Sequence, residues 1–150
     1  MNLQLPVSNR AHNSATEFKV HELDTEVPSG LPEPSLYRLI MMPVRIRRKS
    51  RGGIILTDDL QDAALWHHQL FKVVAVGKQV WRGESYKQFS ITEEDRPHVG
   101  ELWLINPRAP DRFVFDGIQL VVVADDGLRC RVTDTSEETL SKFKFNGLDL

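Results

Sequence analysis

Short apolar runs punctuated by turn-forming residues fill the middle of this chain. Aliphatic and aromatic residues cluster in stretches that end at Pro43, Gly77, Asn106 or Asp116, which is the pattern of strands bounded by turns. The predicted strands are residues 36–42, 71–76, 102–105, 113–115, 118–123 and 128–132. Many short strands without a long amphipathic helix predict an all-β barrel.

The last predicted strand alternates between apolar and charged residues. Its period of two places Leu128, Cys130 and Val132 toward the core, with Arg129 and Arg131 toward water. Cys130 is therefore interpreted as a small core residue rather than as a nucleophile. The Asp-Asp-Gly sequence at residues 125–127 predicts a hairpin turn leading into this strand.

Both ends of the chain extend beyond these strands. Residues 1–35 contain interrupting prolines and few apolar residues, so this arm is expected to be extended or disordered when alone. In the tail, residues 134–150, Thr135 and Glu138 have the spacing of a capping box before Leu140 and Phe143, which suggests a short helix. The alternation at residues 143–145 equally suits an edge strand added to a neighbour's sheet.

A glycine pair precedes an aliphatic triplet in the segment Lys-Ser-Arg-Gly-Gly-Ile-Ile-Leu-Thr-Asp-Asp at residues 49–59. Two consecutive glycines make ordering costly, which disfavours a core strand and favours a segment that orders on contact with a partner. The binding candidates are Gly52, Gly53, Ile54, Ile55 and Leu56. The competing interpretation is that the triplet belongs to an ordinary buried strand.

Composition narrows the possible classes of protein. At 150 residues and 41% hydrophobic, the chain suits one compact domain with tails. One cysteine permits neither an internal disulfide nor a cysteine zinc cluster within a chain. Without a signal-peptide pattern or a membrane-length apolar run, we expect a soluble, cytoplasmic protein that contacts no membrane.

Charge gives little support to nucleic-acid binding. The formal net charge is −2, which argues against a dedicated nucleic-acid binder. Residues 38–51 nevertheless carry five arginines and one lysine without an acid. This basic stretch is interpreted as a solvated loop flank or as a partner for acids on a neighbouring chain, with a phosphate-binding patch as the alternative.

No catalytic constellation follows from the sequence. There is no phosphate-binding Walker loop and no Gly-x-Gly-x-x-Gly motif. His67 and His68 are adjacent, so their side chains point apart, and the other histidines are scattered. We therefore predict a protein that is not an enzyme and that binds no metal or cofactor.

The glycine and aliphatic segment resembles the mobile loop of the GroES-like co-chaperonins, and the likeness covers roughly two thirds of the chain. Upstream, the likeness continues to about Arg38. Downstream, it includes Phe-Lys-Val-Val-Ala-Val-Gly at 71–77, His-Val-Gly-Glu at 98–101 and Gln-Leu-Val-Val-Val at 119–123. The resemblance implies a GroES-like small β-barrel over residues 36–133. The mobile loop would span about 47–69, a roof hairpin about 78–97, and both terminal arms exceed the usual family length.

In that family the insertion that corresponds to the segment between Gly77 and Val99 forms the roof of a dome. Trp81, Tyr86 and Phe89 would then make ring-roof contacts or face an enclosed substrate, with Gly83 at the hairpin turn. The alternative is that these aromatic side chains pack across their own hairpin.

The resemblance also implies a function. The chain would be a co-chaperonin-like lid, a homo-oligomer with seven members, that caps a GroEL-like chaperonin ring through the triplet and assists protein folding. The partner would bind ATP, and a phage-encoded chain would act in the host cytoplasm.

A second hypothesis comes from the terminal arms. Long arms on a compact barrel suit a structural subunit of a large assembly, such as a phage capsid or tail, which would contact other virion proteins.

Overall fold

A computed structural model describes residues 21–45, 70–106, 111–145 and 148–149, and the structural statements below concern these residues. Nearly all regular structure in them is β. The strands are β1 (His21–Glu22), β2 (Arg38–Arg45), β3 (Leu70–Val76), β4 (Leu102–Ile105), β5 (Asp111–Phe115), β6 (Ile118–Ala124), β7 (Leu128–Val132), β8 (Lys144–Phe145) and β9 (Leu148–Asp149). Helix α1 is Glu137–Leu140, and 3₁₀ helices span Glu84–Phe89 and Asp125–Gly127.

The main sheet is antiparallel in the order β5-β6-β2-β3-β4-β7, and β1 joins β2 in parallel. The predicted all-β class is confirmed, but the sheet is not closed into a barrel, because β5 pairs only with β6 and β7 only with β4. The hairpin predicted at residues 125–127 is also wrong. These residues form a 3₁₀ turn that carries the chain from β6 to the opposite edge of the sheet.

Strand β2 lies at the centre of the sheet and continues through Pro43, where the sequence had predicted its end. The backbone carbonyl of Arg45 accepts a hydrogen bond from the Leu23 N–H, at 3.1 Å. Backbone groups two residues apart point to the same side of a strand, so the N–H that Pro43 lacks would point to the side of the Arg45 carbonyl. On that side, β6 pairs with β2 as far as Met41 and β1 pairs from Val44, so Pro43 lies in the gap between the two neighbours. Proline is tolerated there because no ladder bond is lost.

The hairpin between β5 and β6 follows its sequence signal. Asp116 and Gly117 have φ angles of 51° and 77°. Two successive residues with positive φ form the tight turn that suits the twist of antiparallel strands, and Asp-Gly is a preferred pair for it. Phe115 accordingly pairs with Ile118 across the turn.

Both faces of the sheet are covered by apolar side chains. One buried cluster, here the tryptophan core, consists of Leu39, Met41, Phe71, Val73, Val80, Trp103, Ile105, Val121 and Val123. The other, the leucine core, consists of Ile40, Met42, Val44, Leu70, Leu102, Leu120 and Leu140. Successive residues of β2 alternate between the two cores, which explains why this strand is a continuous apolar run.

Cys130 is exposed, so its predicted place in the core is wrong. The pairing of β4 with β7 shifts register between Leu104 and Ile105. This irregularity separates Leu128, which packs on the tryptophan core, from Cys130 and Val132, which lie opposite Leu104 and Leu102 on the other side. A bulge of this kind breaks the predicted single inward face of Leu128, Cys130 and Val132, and alternation in the sequence does not reveal it.

The described part of the N-terminal arm is ordered against its own sheet. Leu23 and Leu31 pack on the leucine core, and the Lys72 ammonium donates to the Leu23 carbonyl at 3.3 Å. The Gln119 N–H donates to Nε2 of His21 at 3.0 Å. In the folded chain the sheet therefore supplies residues 21–35 with the apolar contacts that the arm lacks by itself.

The C-terminal tail contains both a short helix and a short strand pair. A short helix forms, but Ser136 rather than Thr135 caps it, and the Ser136 hydroxyl accepts from the Thr139 N–H at 3.3 Å. Leu140 is 2% exposed in the leucine core. Strand β8 pairs with β9 of the same chain.

Candidate functional site

The proposed binding residues Gly52, Gly53, Ile54, Ile55 and Leu56 lie outside the described residues, and the structure gives the positions of the flanking strands. Strand β2 ends at Arg45 and β3 begins at Leu70. The two strands are antiparallel neighbours, with Pro43 opposite Phe71. The connection over residues 46–69 therefore leaves and re-enters the sheet at one place.

Residues 77–100, here called the insert, contain no strand, so the predicted roof hairpin at 78–97 is wrong. Its backbone bonds instead close short turns, for example from the Arg82 N–H to the Gln79 carbonyl and from the Tyr86 N–H to the Gly83 carbonyl, both at 3.0 Å. Gly83 precedes the 3₁₀ helix rather than occupying a hairpin turn. Local turn bonds of this kind leave no ladder to pair two strands.

The insert is tied to the sheet by the carboxylate of Asp125, which is 6% exposed. The Trp81 N–H donates to Oδ2 and the Tyr86 hydroxyl donates to Oδ1, both at 3.0 Å. The backbone of Asp125 adds two more bonds: its carbonyl accepts from the Trp81 indole N–H, and its N–H donates to the Tyr37 carbonyl, again at 3.0 Å. A carboxylate can be buried here because its oxygens receive these donors.

The contacts with Asp125 hold Trp81 in an uncommon backbone conformation and keep the Tyr86 hydroxyl protonated. Trp81 has a φ of 57°, a region that bulky residues enter only when surrounding contacts hold them there. Burial, together with the hydrogen bond and negative charge of Asp125, raises the pKa of Tyr86 from 10.0 to about 12. The Tyr86 hydroxyl therefore remains a donor throughout the neutral range.

The rings of the insert continue the tryptophan core. Trp81 meets Trp103 edge to face, with centroids 5.6 Å apart and planes at 85°, and lies 6.3 Å from Tyr86. The Arg131 guanidinium lies 4.9 Å from the Trp103 centroid on β4. Edge-to-face and cation–π contacts are favourable geometries for such rings, so Trp81 acts as an anchor of the insert.

A second set of polar contacts holds the far end of the insert. Arg131 donates to the carbonyls of Asp95 and Arg96 at 2.6 and 3.0 Å. Glu101 accepts from the His98 N–H at 2.7 Å and from the Trp103 indole at 3.2 Å. The insert is thus fastened near its start to the 3₁₀ turn that precedes β7, and near its end to Arg131 of β7.

The three aromatic candidates have different surroundings. Trp81 and Tyr86 are half-buried anchors, whereas Phe89 is 63% exposed. All three line a groove of about 360 Å³, here called the insert groove, which is completed by Ile91, Asp125, Asp126 and Leu128. Contacts with Trp103 and Asp125 therefore account for the positions of Trp81 and Tyr86, whereas Phe89 is presented to solvent.

The described residues contain no group of three or more His, Cys, Asp or Glu that could hold a metal ion. His98 lies 3.5 Å from Glu101, and His21 accepts from Gln119. His12, His67 and His68 lie outside the described residues. In the same parts of the chain, no helix is long and apolar enough to cross a membrane.

No protein-family model matches the chain, and no curated protein matches it.

Sequence reasoning found Trp81, Tyr86 and Phe89 but missed Asp125, which it assigned to a hairpin turn. The partners of Asp125 lie 39 and 44 residues away, so no local periodicity links them. The available signal was chemical, because a buried Tyr hydroxyl and a buried Trp indole each require an acceptor.

Proposed function

We propose that this protein is a co-chaperonin-like lid that caps a GroEL-like chaperonin ring through Gly52, Gly53, Ile54, Ile55 and Leu56. The lid is a non-catalytic homo-oligomer without a cofactor, built on a GroES-like arrangement of strands. The observation that carries the proposal is the antiparallel pairing of β2 with β3 on either side of residues 46–69. This pairing supports a connection that presents the triplet from a single anchor point.

The position of the insert also supports a lid. The Gly77 N–H donates to the Arg38 carbonyl and the Gln79 N–H donates to the Leu36 carbonyl. The first residues of the insert therefore lie beside Arg38, where β2 begins. The connection over 46–69 starts at the last residue of β2. At about 3.3 Å per residue, the two attachment points are roughly 23 Å apart. A chaperonin contact and a roof would therefore occupy opposite ends of the subunit.

Weak individual contacts suit reversible capping. Burial of each aliphatic side chain contributes about 1.5–3 kcal/mol, whereas ordering a flexible segment costs about 1–2 kcal/mol per residue. One segment would therefore bind weakly. A ring of several subunits, for which we propose seven, raises the effective concentration of each further segment and makes the capping avid.

A structural subunit of a phage particle is the second candidate. The edge strands β5 and β7 each pair on one side only within the described sheet, which favours strand addition by a neighbour. The arm gives less support, because residues 21–35 pack on their own sheet.

The test is nucleotide-dependent association. The full chain is mixed with a purified GroEL-like chaperonin, with and without ATP, and complexes are measured by sedimentation velocity. We expect capping with ATP, loss of capping for Ile55→Asp, and normal capping for Val99→Asp, which adds the same charge at an aliphatic residue that is 67% exposed. Absence of capping by the unaltered chain, or undiminished capping by Ile55→Asp, refutes the lid. Rings or larger assemblies that form without any chaperonin contact would favour the structural subunit.

A further inference from the structure

We propose that the insert groove binds an extended segment of another polypeptide in which a lysine or arginine is flanked by apolar residues. The inference does not depend on the lid proposal, because it uses only the groove and its charges.

The groove has the composition of a binding site. Its volume of about 360 Å³ lies at the lower end of the range for small-ligand pockets, which are mainly apolar with a few oriented polar groups. Trp81, Phe89, Ile91 and Leu128 supply apolar surface, and Tyr86 adds a ring with a fixed hydroxyl. The groove is open rather than enclosed, which fits one or two side chains of a longer chain.

The charge of the groove is negative and is not balanced by neighbouring side chains. Asp125 and Asp126 both line it, and neither forms an ion pair with a described residue. No lysine or arginine is among the described residues that line it, and two basic side chains of the insert are paired elsewhere, Arg82 with Glu93 and Lys87 with Glu84. A cationic group entering the groove therefore meets two carboxylates in a lining without a basic side chain.

Aromatic rings and carboxylates together select a cation over an anion. The faces of aromatic rings attract ammonium and guanidinium groups within about 6 Å, and the two carboxylates add to this attraction. Phe89 remains 63% exposed although it lines the groove, so its ring is available to cover an incoming side chain. An apolar residue beside the cation would pack on Phe89 and Ile91, which argues for a polypeptide rather than a free cation.

The site can be altered without disturbing the insert. Asp126 is exposed and has no hydrogen bond to a described residue, in contrast to Asp125. Asp126→Asn therefore removes charge from the groove and leaves the anchoring of Trp81 and Tyr86 intact. Phe89→Ala removes the exposed ring. Glu138→Gln on α1 makes the same change in net charge on an exposed residue outside the groove, and is the matched control.

The experiment is calorimetric titration of the full chain with three capped five-residue peptides. One has a central lysine flanked by leucines, the second has glutamate in place of the lysine, and the third keeps the lysine but has serines in place of the leucines. We expect the lysine and leucine peptide to bind, and each of the other two to bind at least about tenfold more weakly. We also expect the Trp81 indole N–H resonance to shift on binding of the first peptide.

The variants test the location of the site. For the lysine and leucine peptide we expect affinity to fall about threefold in Asp126→Asn and about fivefold in Phe89→Ala, and to be unchanged in Glu138→Gln. Four results would overturn the proposal: no binding of this peptide, equal binding of the glutamate peptide, equal binding of the serine peptide, or equal effects of Asp126→Asn and Glu138→Gln. Equal binding of the serine peptide would identify a site for the cation alone.

Discussion

The two faces of the sheet are covered in different ways. The insert covers the tryptophan core, and directional hydrogen bonds fasten it, donated to the Asp125 carboxylate by the insert and donated by Arg131 to the insert. The leucine core is covered by residues 21–35 and by α1, which contribute the apolar side chains of Leu23, Leu31 and Leu140. One covering therefore depends on the geometry of a few polar atoms, and the other mainly on the amount of apolar surface removed from water.

The largest expected effect concerns the polar covering. Asp125→Ala removes the acceptor of two hydrogen bonds to a charged group, each worth about 1.5–3 kcal/mol, so we expect the free energy of unfolding to fall by about 3–5 kcal/mol. Urea denaturation followed by circular dichroism measures this loss. Asp126→Ala, at the adjacent exposed position, should change stability by less than about 0.5 kcal/mol. Similar losses in the two variants would contradict an anchoring role for Asp125.

A smaller loss is expected on the apolar side. Leu140→Ala removes a side chain that is 2% exposed in the leucine core, and we expect a loss of about 2–3 kcal/mol because α1 is short enough to relax toward the cavity. Leu140→Met, which nearly conserves volume, should cost less than about 1.5 kcal/mol. Thermal unfolding of both variants gives the comparison. If the two substitutions cost the same, apolar volume does not govern this covering.

The smallest effect tests how the insert responds to pH. Tyr86→Phe leaves one oxygen of Asp125 without its donor, and we expect a loss of about 1–2 kcal/mol near pH 7. Because the pKa of Tyr86 is raised from 10.0 to about 12, the wild-type advantage is complete below about pH 10 and is lost as the pH rises through about 12.

Urea denaturation of Tyr86→Phe and the wild type across this pH range measures the difference. Their stabilities should converge between pH 10 and 12, while Tyr37→Phe, whose ring is 42% exposed, should stay within about 0.5 kcal/mol of wild type at pH 7. A deficit that stays constant to pH 12 would show that the hydroxyl of Tyr86 is not the group involved.

The strands were largely predictable because they depend on local composition. The predicted ranges 102–105 and 128–132 agree with β4 and β7, and 71–76 and 118–123 each miss one terminal residue of β3 and β6. Pro43 was misread as a strand end because its tolerance depends on which neighbours β2 has. The order of the strands, and with it the open sheet, likewise depends on pairings between distant parts of the chain.

The candidate site was only partly predictable. Trp81, Tyr86 and Phe89 were identified by residue type, but their different roles depend on Asp125, whose bonds join segments remote in sequence. Cys130 was assigned to the core by alternation, but it is exposed on β7, which lies at the edge of the described sheet. The spacing of apolar residues therefore predicted most strands. The different roles of the three aromatic residues became visible only from atomic contacts between segments remote in sequence.

The distance along the chain between Trp81 and Asp125 has a consequence during synthesis. Trp81 is made 44 residues before the carboxylate that holds its backbone. At about 5–20 residues per second, the ribosome takes roughly 2–9 s to add that stretch. For that interval the nascent chain lacks the carboxylate that holds the Trp81 backbone and the carbonyl that accepts from its indole in the folded protein.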